Sequence, residues 1–261
     1  MLTQTLDQDV RVRVLLAALR CQKGDLAGNL SAHLQIVLDA VATGCDLVLF
    51  PEMSLTGSVD AARDPERLVS LDHEAVLELA RASAWTGTGI CFGVAEHSSE
   101  NRAHITQVFA AGGQIVGVQR KRHLGKGEDS FTPVSISDPI DFSGTTLGIA
   151  ICAESGFDQP FDVAASAKAR LVLFPAAPGL YGRRTDEDSW RAGFSWWEGK
   201  SLGDAARHAR RLGIWIALAT QSGSTIDEDF PGLAALVGPD GEVVDRLPDW
   251  HEGVLISDVP L

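Results

Sequence analysis

The sequence predicts an α/β layered fold with a mixed sheet, and three observations carry that prediction. Segments of strand and helix character alternate along most of the 261 residues. Two glycine-bearing turns, residues 111–113 and 239–241, each separate short apolar runs in a pattern typical of hairpins. The segment Leu-Val-Leu-Phe-Pro occurs twice, at residues 47–51 and 171–175, each time after a predicted helix. Helix-linked strands together with hairpins indicate a sheet that contains both strand orientations.

Buried strands are predicted where a short run of aliphatic and β-branched residues is bounded by turn residues. These runs are residues 12–21, 47–50, 89–95, 147–152, 171–174 and 214–219, with hairpin strands at 105–110, 114–119, 233–237 and 243–246. Helices are predicted where apolar residues recur at helical spacing, at residues 29–43, 73–85, 161–168 and 202–212. Because no low-complexity linker interrupts this pattern, we expect one domain over residues 1–261.

Composition restricts the class of partner. The formal net charge of −13, from 22 basic and 35 acidic residues, disfavours nucleic acid and anionic membrane as partners, because both need a basic face.

No apolar stretch approaches the ~18 residues of a transmembrane helix. Residues 1–13 lack the apolar core of a signal peptide. The four cysteines are far apart and form no Cys-x-x-Cys pair, which favours reduced thiols and a cytoplasmic protein.

Three chemically distinct side chains follow predicted strands. Glu52 follows the first Leu-Val-Leu-Phe-Pro segment, Lys121 follows residues 114–119, and Cys152 ends residues 147–152. A cysteine nucleophile needs a base, because little thiolate exists at neutral pH, and an ammonium group can stabilise the developing oxyanion. The three residue types together predict a covalent hydrolase site. Cys152 taken alone fits better the packing of a small buried side chain.

The repeated segment favours a chemical role for the glutamate. Its first copy continues with Glu52, whereas its second copy continues with Ala176. A glutamate that served only the end of the strand would be needed in both copies. Two similar helix-to-strand units also indicate internal pseudo-symmetry.

Three short motifs resemble those of the nitrilase, or carbon–nitrogen hydrolase, superfamily. Residues 50–57 (Phe-Pro-Glu-Met-Ser-Leu-Thr-Gly) resemble its glutamate motif, residues 120–124 (Arg-Lys-Arg-His-Leu) its lysine motif, and residues 148–154 (Gly-Ile-Ala-Ile-Cys-Ala-Glu) its cysteine motif. Their order also fits, and weaker similarity extends over nearly the whole chain. The resemblance implies a four-layer α-β-β-α sandwich with mixed sheets and internal pseudo-symmetry, which commonly forms homodimers or higher homo-oligomers.

The resemblance also implies a role for each candidate catalytic residue. Cys152 would form a covalent acyl intermediate, with Glu52 as the general base and Lys121 at the oxyanion. Glu128 matches a second glutamate of the family site, which would orient Lys121 and help to position substrate or water. No metal or organic cofactor would be needed. We expect Glu154, which matches an acidic residue of the cysteine motif, to be structural.

Substrate contacts are predicted close to these motifs. The candidates are Ala153, whose backbone N–H would share the oxyanion with Lys121, and Phe131, Phe157 and Ala176. An aromatic segment at residues 190–197 would either shape substrate selection or form an aromatic plug or subunit contact. At Gly156 the chain departs from the polar residues that are usual after the family cysteine.

The leading hypothesis is an enzyme that hydrolyses a small linear amide or N-carbamoyl compound to an acid and ammonia or amine. Nitrile hydrolysis by the same three residues is one alternative. A catalytically idle member of the fold, which binds a metabolite or a protein partner, is another.

Overall fold

A computed structural model describes residues 10–135, 138–180, 182–248 and 251–261. The expectation for the N-terminal segment therefore falls largely on residues outside the described ranges. The strands are β1 (Arg11–Ala18), β2 (Leu47–Leu49), β3 (Gly89–His97), β4 (Ala103–Ala111), β5 (Gln114–Arg120), β6 (Ile140–Phe142), β7 (Thr145–Ile149), β8 (Leu171–Ala176), β9 (Trp215–Thr220), β10 (Ser222–Ser224), β11 (Asp229–Pro231), β12 (Ala234–Val237), β13 (Val243–Arg246) and β14 (Gly253–Pro260). The helices are α1 (Leu26–Ala42), α2 (Glu74–Thr86), α3 (Gln159–Ser166) and α4 (Glu187–Leu212).

The two large sheets have the same topology, which confirms the predicted pseudo-symmetry. One has the order β14-β1-β2-β3-β4-β5 and the other the order β6-β7-β8-β9-β12-β13. In both, the second, third and fourth strands are parallel and the remaining pairs are antiparallel. The two Leu-Val-Leu-Phe-Pro segments lie at equivalent places, in β2 and β8 and just beyond them. The chain therefore uses one structural unit twice.

Alternating side chains divide each central strand between two cores. Leu47 and Leu49 of β2 join Leu171 and Leu173 of β8 in a core between the two sheets. The intervening residues of β2 face a second core under α1 and α2, and those of β8 a third core against α3 and α4. Strands buried on both faces explain the continuous apolar runs in the sequence. The order of layers is helix, sheet, sheet, helix, which confirms the predicted four-layer sandwich.

Most predicted helices and strands are confirmed, with three informative differences. Helix α4 begins at Glu187, well before the predicted residue 202, because Asp186 caps it by accepting a hydrogen bond from the Ser189 N–H (2.8 Å). The strand predicted over residues 147–152 ends at Ile149, and Cys152 begins a short 3₁₀ turn. Strand β14 is missing from the sequence prediction, as are three very short strands, β6, β10 and β11. Among the described residues no helix has the length and apolar character needed to cross a bilayer.

Gly93 of β3 permits a close approach between this strand and the chain that follows β2. A Cβ atom at Gly93 would lie 2.2 Å from the Met53 nitrogen and 2.8 Å from the Glu52 carbonyl carbon. Both neighbours are backbone atoms, so a side chain at this position would displace the peptide that follows Glu52. The absence of a side chain at Gly93 therefore sets the position of Glu52 against the sheet.

We expect Gly93→Ala to lower the free energy of unfolding by about 1–3 kcal/mol, because the new methyl group overpacks against backbone. Gly203→Ala is the matched control, since Gly203 is exposed within α4 and a Cβ there meets no atom within 4 Å. The control should raise the unfolding free energy by about 0.5–1 kcal/mol, because alanine favours helix. Urea denaturation of both variants measures these changes. Equal stabilities for Gly93→Ala and the unaltered chain would contradict the assignment.

Candidate active site

Glu52 lies just beyond β2, where two glutamines hold the backbone on either side of Pro51. Gln107 of β4 donates from Nε2 to the carbonyl oxygen of Phe50 (3.1 Å). Gln221, which follows β9 in the other sheet, donates from Nε2 to the carbonyl oxygen of Glu52 (2.8 Å). Both glutamines and Glu52 are fully buried. The backbone that carries the carboxylate is thus held between the two sheets by contacts from each of them.

A buried polar network supports the turn that follows Glu52. The Ser54 Oγ accepts from the Gly93 N–H (3.1 Å) and lies 2.9 Å from His33 Nε2. His33 Nδ1 lies 2.7 Å from the carbonyl oxygen of Asn29, which can only accept, so Nδ1 carries the proton. The His33 ring also packs on Phe50, with ring centroids 4.1 Å apart. Helix α1 therefore helps to fix the glutamate turn.

Lys121 follows β5 and binds two carboxylates. Its Nζ donates to Glu52 Oε1 (2.7 Å) and to Glu128 Oε1 (2.6 Å), and its side chain is inaccessible to solvent. Glu128 is held in turn by the Gly125 N–H, which donates to Oε2 (2.5 Å). The structure therefore brings three of the predicted catalytic residues into direct contact.

Cys152 completes the group from the second half of the chain. It begins the 3₁₀ turn with a φ of 46°, a left-handed conformation that is unusual for a non-glycine residue. Glu52 and Lys121 lie close enough to change the pKa of its thiol. Residues in such sparsely populated conformations cluster at active sites and persist only where the surrounding structure constrains them.

Burial and charge set the protonation of these groups. Burial, aided by Glu52, raises the pKa of the Cys152 thiol well above its usual range, although Lys121 acts in the opposite direction. Burial also raises the pKa of Glu52, and Lys121 opposes that change. The pKa of Lys121 rises, because Glu52, Cys152 and Glu128 outweigh the effect of its own burial. The arrangement pairs a neutral thiol with a carboxylate of increased proton affinity and a permanent cation.

The ends of the two repeated segments meet at this site. The backbone N–H of Ala177, just beyond β8, donates to Glu52 Oε2 (2.9 Å). Ala176, the residue of the second copy that corresponds to Glu52, is fully buried within β8. One copy therefore supplies the carboxylate and the other supplies a backbone donor to it.

Cys152 lies in a cavity of about 420 Å³. Glu128, Ala153 and Phe131 line the same cavity, so three further predicted site residues are brought together there with the cysteine. The cavity also contacts Met53 and Ala177, whereas Glu52 and Lys121 are buried behind its wall. The volume falls within the range of small-molecule pockets.

Two predicted substrate contacts lie elsewhere. Phe157 is 46% exposed and stacks on His123, with ring centroids 3.9 Å apart, outside the residues that line the cavity. Ala176 faces the core under α3 and α4, and its neighbour Ala177 reaches the cavity instead. An alternating strand places successive residues on opposite faces, which explains the difference between Ala176 and Ala177. Gly156 also lies outside this wall, and a Cβ there would meet open space.

Trp196 and Trp197 of α4 belong to the aromatic segment for which the sequence offered a role in substrate selection, and both line the cavity. The sequence prediction did not include three other lining residues, namely Lys200 of α4 and the ion pair between Lys23 and Glu228 (3.5 Å). Trp196 and Lys200 are four residues apart and so share a helix face. A prediction that began α4 before residue 196 would have placed Trp196 and Lys200 on one face of the helix. Tyr181, which precedes this helix in the sequence, is outside the described residues. Within the described ranges, no group of three His, Cys, Asp or Glu side chains could hold a metal ion.

Comparison with known proteins identifies the family. A family model described as carbon-nitrogen hydrolase matches residues 15–261. The chain belongs to the carbon-nitrogen hydrolase family. The predicted resemblance to the nitrilase superfamily is thus confirmed.

Individual relatives are more distant. The chain is 25% identical to a glutamine-dependent NAD(+) synthetase from Rhodobacter capsulatus, over 95% of its own length and 44% of the synthetase. It is 22% identical to an N-carbamoylputrescine amidase from Arabidopsis thaliana, over 91% of this chain and 83% of the relative. A crystal structure of an amidase from Nesterenkonia sp. shares the fold, with a TM-score of 0.81, 22% identity and coverage of 98% and 93% of the two chains. The chain spans about half the length of some of the curated relatives it matches.

The buried imidazole of His33 predicts a pH-dependent stability. Burial lowers its pKa from 6.5 to about 4 in the folded chain, so between these values the unfolded chain binds the proton more strongly. Stability is therefore present above pH 6.5 and is lost as the pH falls towards 4, by up to about 3 kcal/mol in total. Denaturant unfolding at a series of pH values measures this loss. In His33→Asn the corresponding part of the slope should disappear, and an unchanged slope would contradict the assignment.

Proposed function

We propose that this chain hydrolyses a non-peptide C–N bond of a small linear amide or N-carbamoyl compound through an acyl intermediate on Cys152. The proposal rests on one arrangement above all. A buried carboxylate and a buried ammonium group, 2.7 Å apart, flank a cysteine that opens into a cavity of about 420 Å³. This combination supplies a base, an oxyanion-stabilising charge and a nucleophile without any further group.

Acylation starts from a protonated Cys152 thiol and an ionised Glu52, whose raised pKa makes it a stronger base. Glu52 takes the Cys152 proton as the sulfur attacks the carbonyl carbon, so no free thiolate has to exist beforehand. The carbonyl oxygen becomes an oxyanion, which the Lys121 ammonium and the backbone N–H of Ala153 stabilise. The protonated Glu52 then gives its proton to the leaving nitrogen, the C–N bond breaks, and ammonia or an amine departs.

Deacylation repeats these roles with water as the nucleophile. Glu52, again ionised, removes a proton from a water molecule that attacks the thioester carbon. The C–S bond breaks, the sulfur recovers a proton from Glu52, and the acid product leaves. Glu128 keeps Lys121 directed at the reacting centre through its contact with Nζ (2.6 Å). Lys121 remains charged throughout, because its raised pKa prevents it from acting as a base.

Relatives guide the choice of substrate class. The plant relative is an N-carbamoylputrescine amidase, the bacterial synthetase is glutamine-dependent, and the neighbour of the same fold is an amidase. All three names point to amide or carbamoyl substrates. We therefore rank these above nitriles, and above an idle binding role, which would not require the base, the cation and the thiol to meet.

Ammonia release over a panel of linear amides, glutamine, N-carbamoyl amines and the matching nitriles tests the proposal. We expect release from at least one amide or carbamoyl compound, and a loss of at least about 10³-fold in Cys152→Ala, because the nucleophile is removed. Cys45→Ala, which alters a buried cysteine outside the site, is the control and should retain activity. Release from nitriles alone would favour the nitrile alternative. Undiminished activity in Cys152→Ala would exclude the nucleophile.

Intact-mass measurement tests the intermediate directly. With a substrate from the panel, Glu52→Gln should accumulate an adduct that matches the acyl group, because the base for water attack is lost. Peptide mapping should place the adduct on Cys152. Cys152→Ala in the same background is the control and should stay unmodified. Because Glu52→Gln also slows the acylation step, an unmodified Cys152 across the whole panel would support the idle binding role only together with no ammonia release by the unaltered chain.

The pH dependence of kcat/KM reports the base. Because Glu52 must be ionised to accept the thiol proton, activity should fall as the pH drops through its pKa in the free enzyme. Burial raises that pKa above the ordinary value of 4.5, so the acid limb should lie above pH 4.5. Initial rates at low substrate concentration, over a pH range in which circular dichroism stays constant, provide the measurement. An acid limb below 4.5 would contradict this role.

A further inference from the structure

A third carboxylate, that of Glu154, connects the segment beside Lys121 to the segment beside Cys152. Glu154 is fully buried and lies outside the cavity wall. Its Oε1 accepts from the backbone N–H of Arg122 (2.7 Å) and from Arg122 Nε (3.2 Å). Its Oε2 accepts from the backbone N–H of Ile151 (2.8 Å). One side chain therefore binds the residue after the catalytic lysine and the residue before the cysteine.

Arg122 strengthens this link. Its guanidinium neutralises Glu154 in a site from which water is excluded, and its Nη2 reaches the carbonyl oxygen of Ile149 at the end of β7 (3.5 Å). A buried carboxylate with a guanidinium and two backbone donors meets the conditions under which a buried ion pair is stable. The turn that it holds contains Cys152 at a φ of 46°, and such a strained residue persists only when its surroundings constrain it.

We propose that Glu154 is a positioning residue that fixes the separation between the Lys121 ammonium and the Cys152 sulfur. This inference rests on the proposed function for its catalytic consequence, but its structural part concerns only the reactivity of the thiol. Lys121 enters from the first sheet and Cys152 from the second. Glu154 is the side chain that bonds to the backbone beside each of them.

The direction in which the alkylation rate of Cys152 changes distinguishes positioning by Glu154 from a direct effect of its negative charge. Lys121 favours the thiolate, so an increase in its distance from the sulfur slows alkylation of Cys152 and moves its pH profile upwards. Loss of a nearby negative charge would do the reverse and speed alkylation. In Glu154→Gln the amide has one acceptor and one donor, so a bond to either Arg122 or Ile151 is lost in each orientation.

Glu154→Gln and Glu154→Asp are the test variants, and Glu96→Gln is the matched control. Glu96 is also buried and pairs with Arg120, the residue before Lys121, at 2.6 and 2.7 Å. Its other side-chain partner is Thr106 (2.6 Å), so it contacts strands of the first sheet and is not bonded to the cysteine turn. Glu154→Asp retains the charge and the counter-ion while shortening the reach, which protects the test against a failure of Glu154→Gln to fold.

Iodoacetamide alkylation of Cys152 is measured by intact mass across pH, with kcat and KM for any substrate identified. We expect both Glu154 variants to alkylate more slowly, with a profile displaced to higher pH, and to lose about 10²-fold in kcat with a smaller change in KM. Glu96→Gln should lose thermal stability but alkylate as the unaltered chain does. Faster alkylation in Glu154→Gln, or behaviour equal to that of Glu96→Gln, would overturn the proposal. Because alkylation needs no turnover, absence of amide hydrolysis would reject the proposed function and leave this test intact.

Discussion

The structure around the site depends on one buried electrostatic contact, the Lys121 ammonium between Glu52 and Glu128. Transfer of an ion from water to a protein interior costs several kcal/mol, so such charges persist only with close partners of opposite sign. Distances of 2.7 and 2.6 Å to two carboxylates meet that condition. Each carboxylate is held in turn by a backbone N–H, from Ala177 or from Gly125. Removal of Lys121 would leave two neighbouring carboxylates without a counter-ion, whereas removal of either carboxylate would take one hydrogen-bond acceptor from the buried ammonium group.

Local patterns predicted most of the fold and the identity of the central residues. Strands buried on both faces leave continuous apolar runs, which is why β2 and β8 were found together with the residues that follow them. Glu52 was recognisable because a charged residue directly after such a run has no packing role, whereas Lys121 was recognisable by its motif after a predicted hairpin strand. Helix α4 was predicted too short, because its first half carries charged and aromatic residues without a clear apolar stripe. Its cap, Asp186, is a local signal that a hydrophobic pattern does not register.

Beyond the grouping of Glu52, Lys121 and Cys152, the sequence did not predict the contacts between distant segments. Ala177 is 125 residues from Glu52, and Gln221 is 169 residues from it, yet both bond directly to that residue. Nothing in the local sequence of either marks it as a partner of a carboxylate. Phe157 illustrates the converse, since it is close to Cys152 in sequence but leaves the 3₁₀ turn in another direction and reaches the surface. Nearness to Cys152 in the sequence correctly predicted that Ala153 lines the cavity, but the same argument was wrong for Phe157.

The use of one structural unit twice has a consequence for how reactivity arises during folding. The base and the cation belong to the first unit, whereas the thiol and the Ala177 donor belong to the second. A nascent chain with only its first half in place holds the proposed general base, Glu52, with no thiol for it to deprotonate. A detached second half holds an unassisted thiol, whose reaction with electrophiles is slow at neutral pH. Under the proposed mechanism, the complete set of reacting groups therefore forms only when the inner faces of the two sheets come together, and neither half of the chain alone carries it.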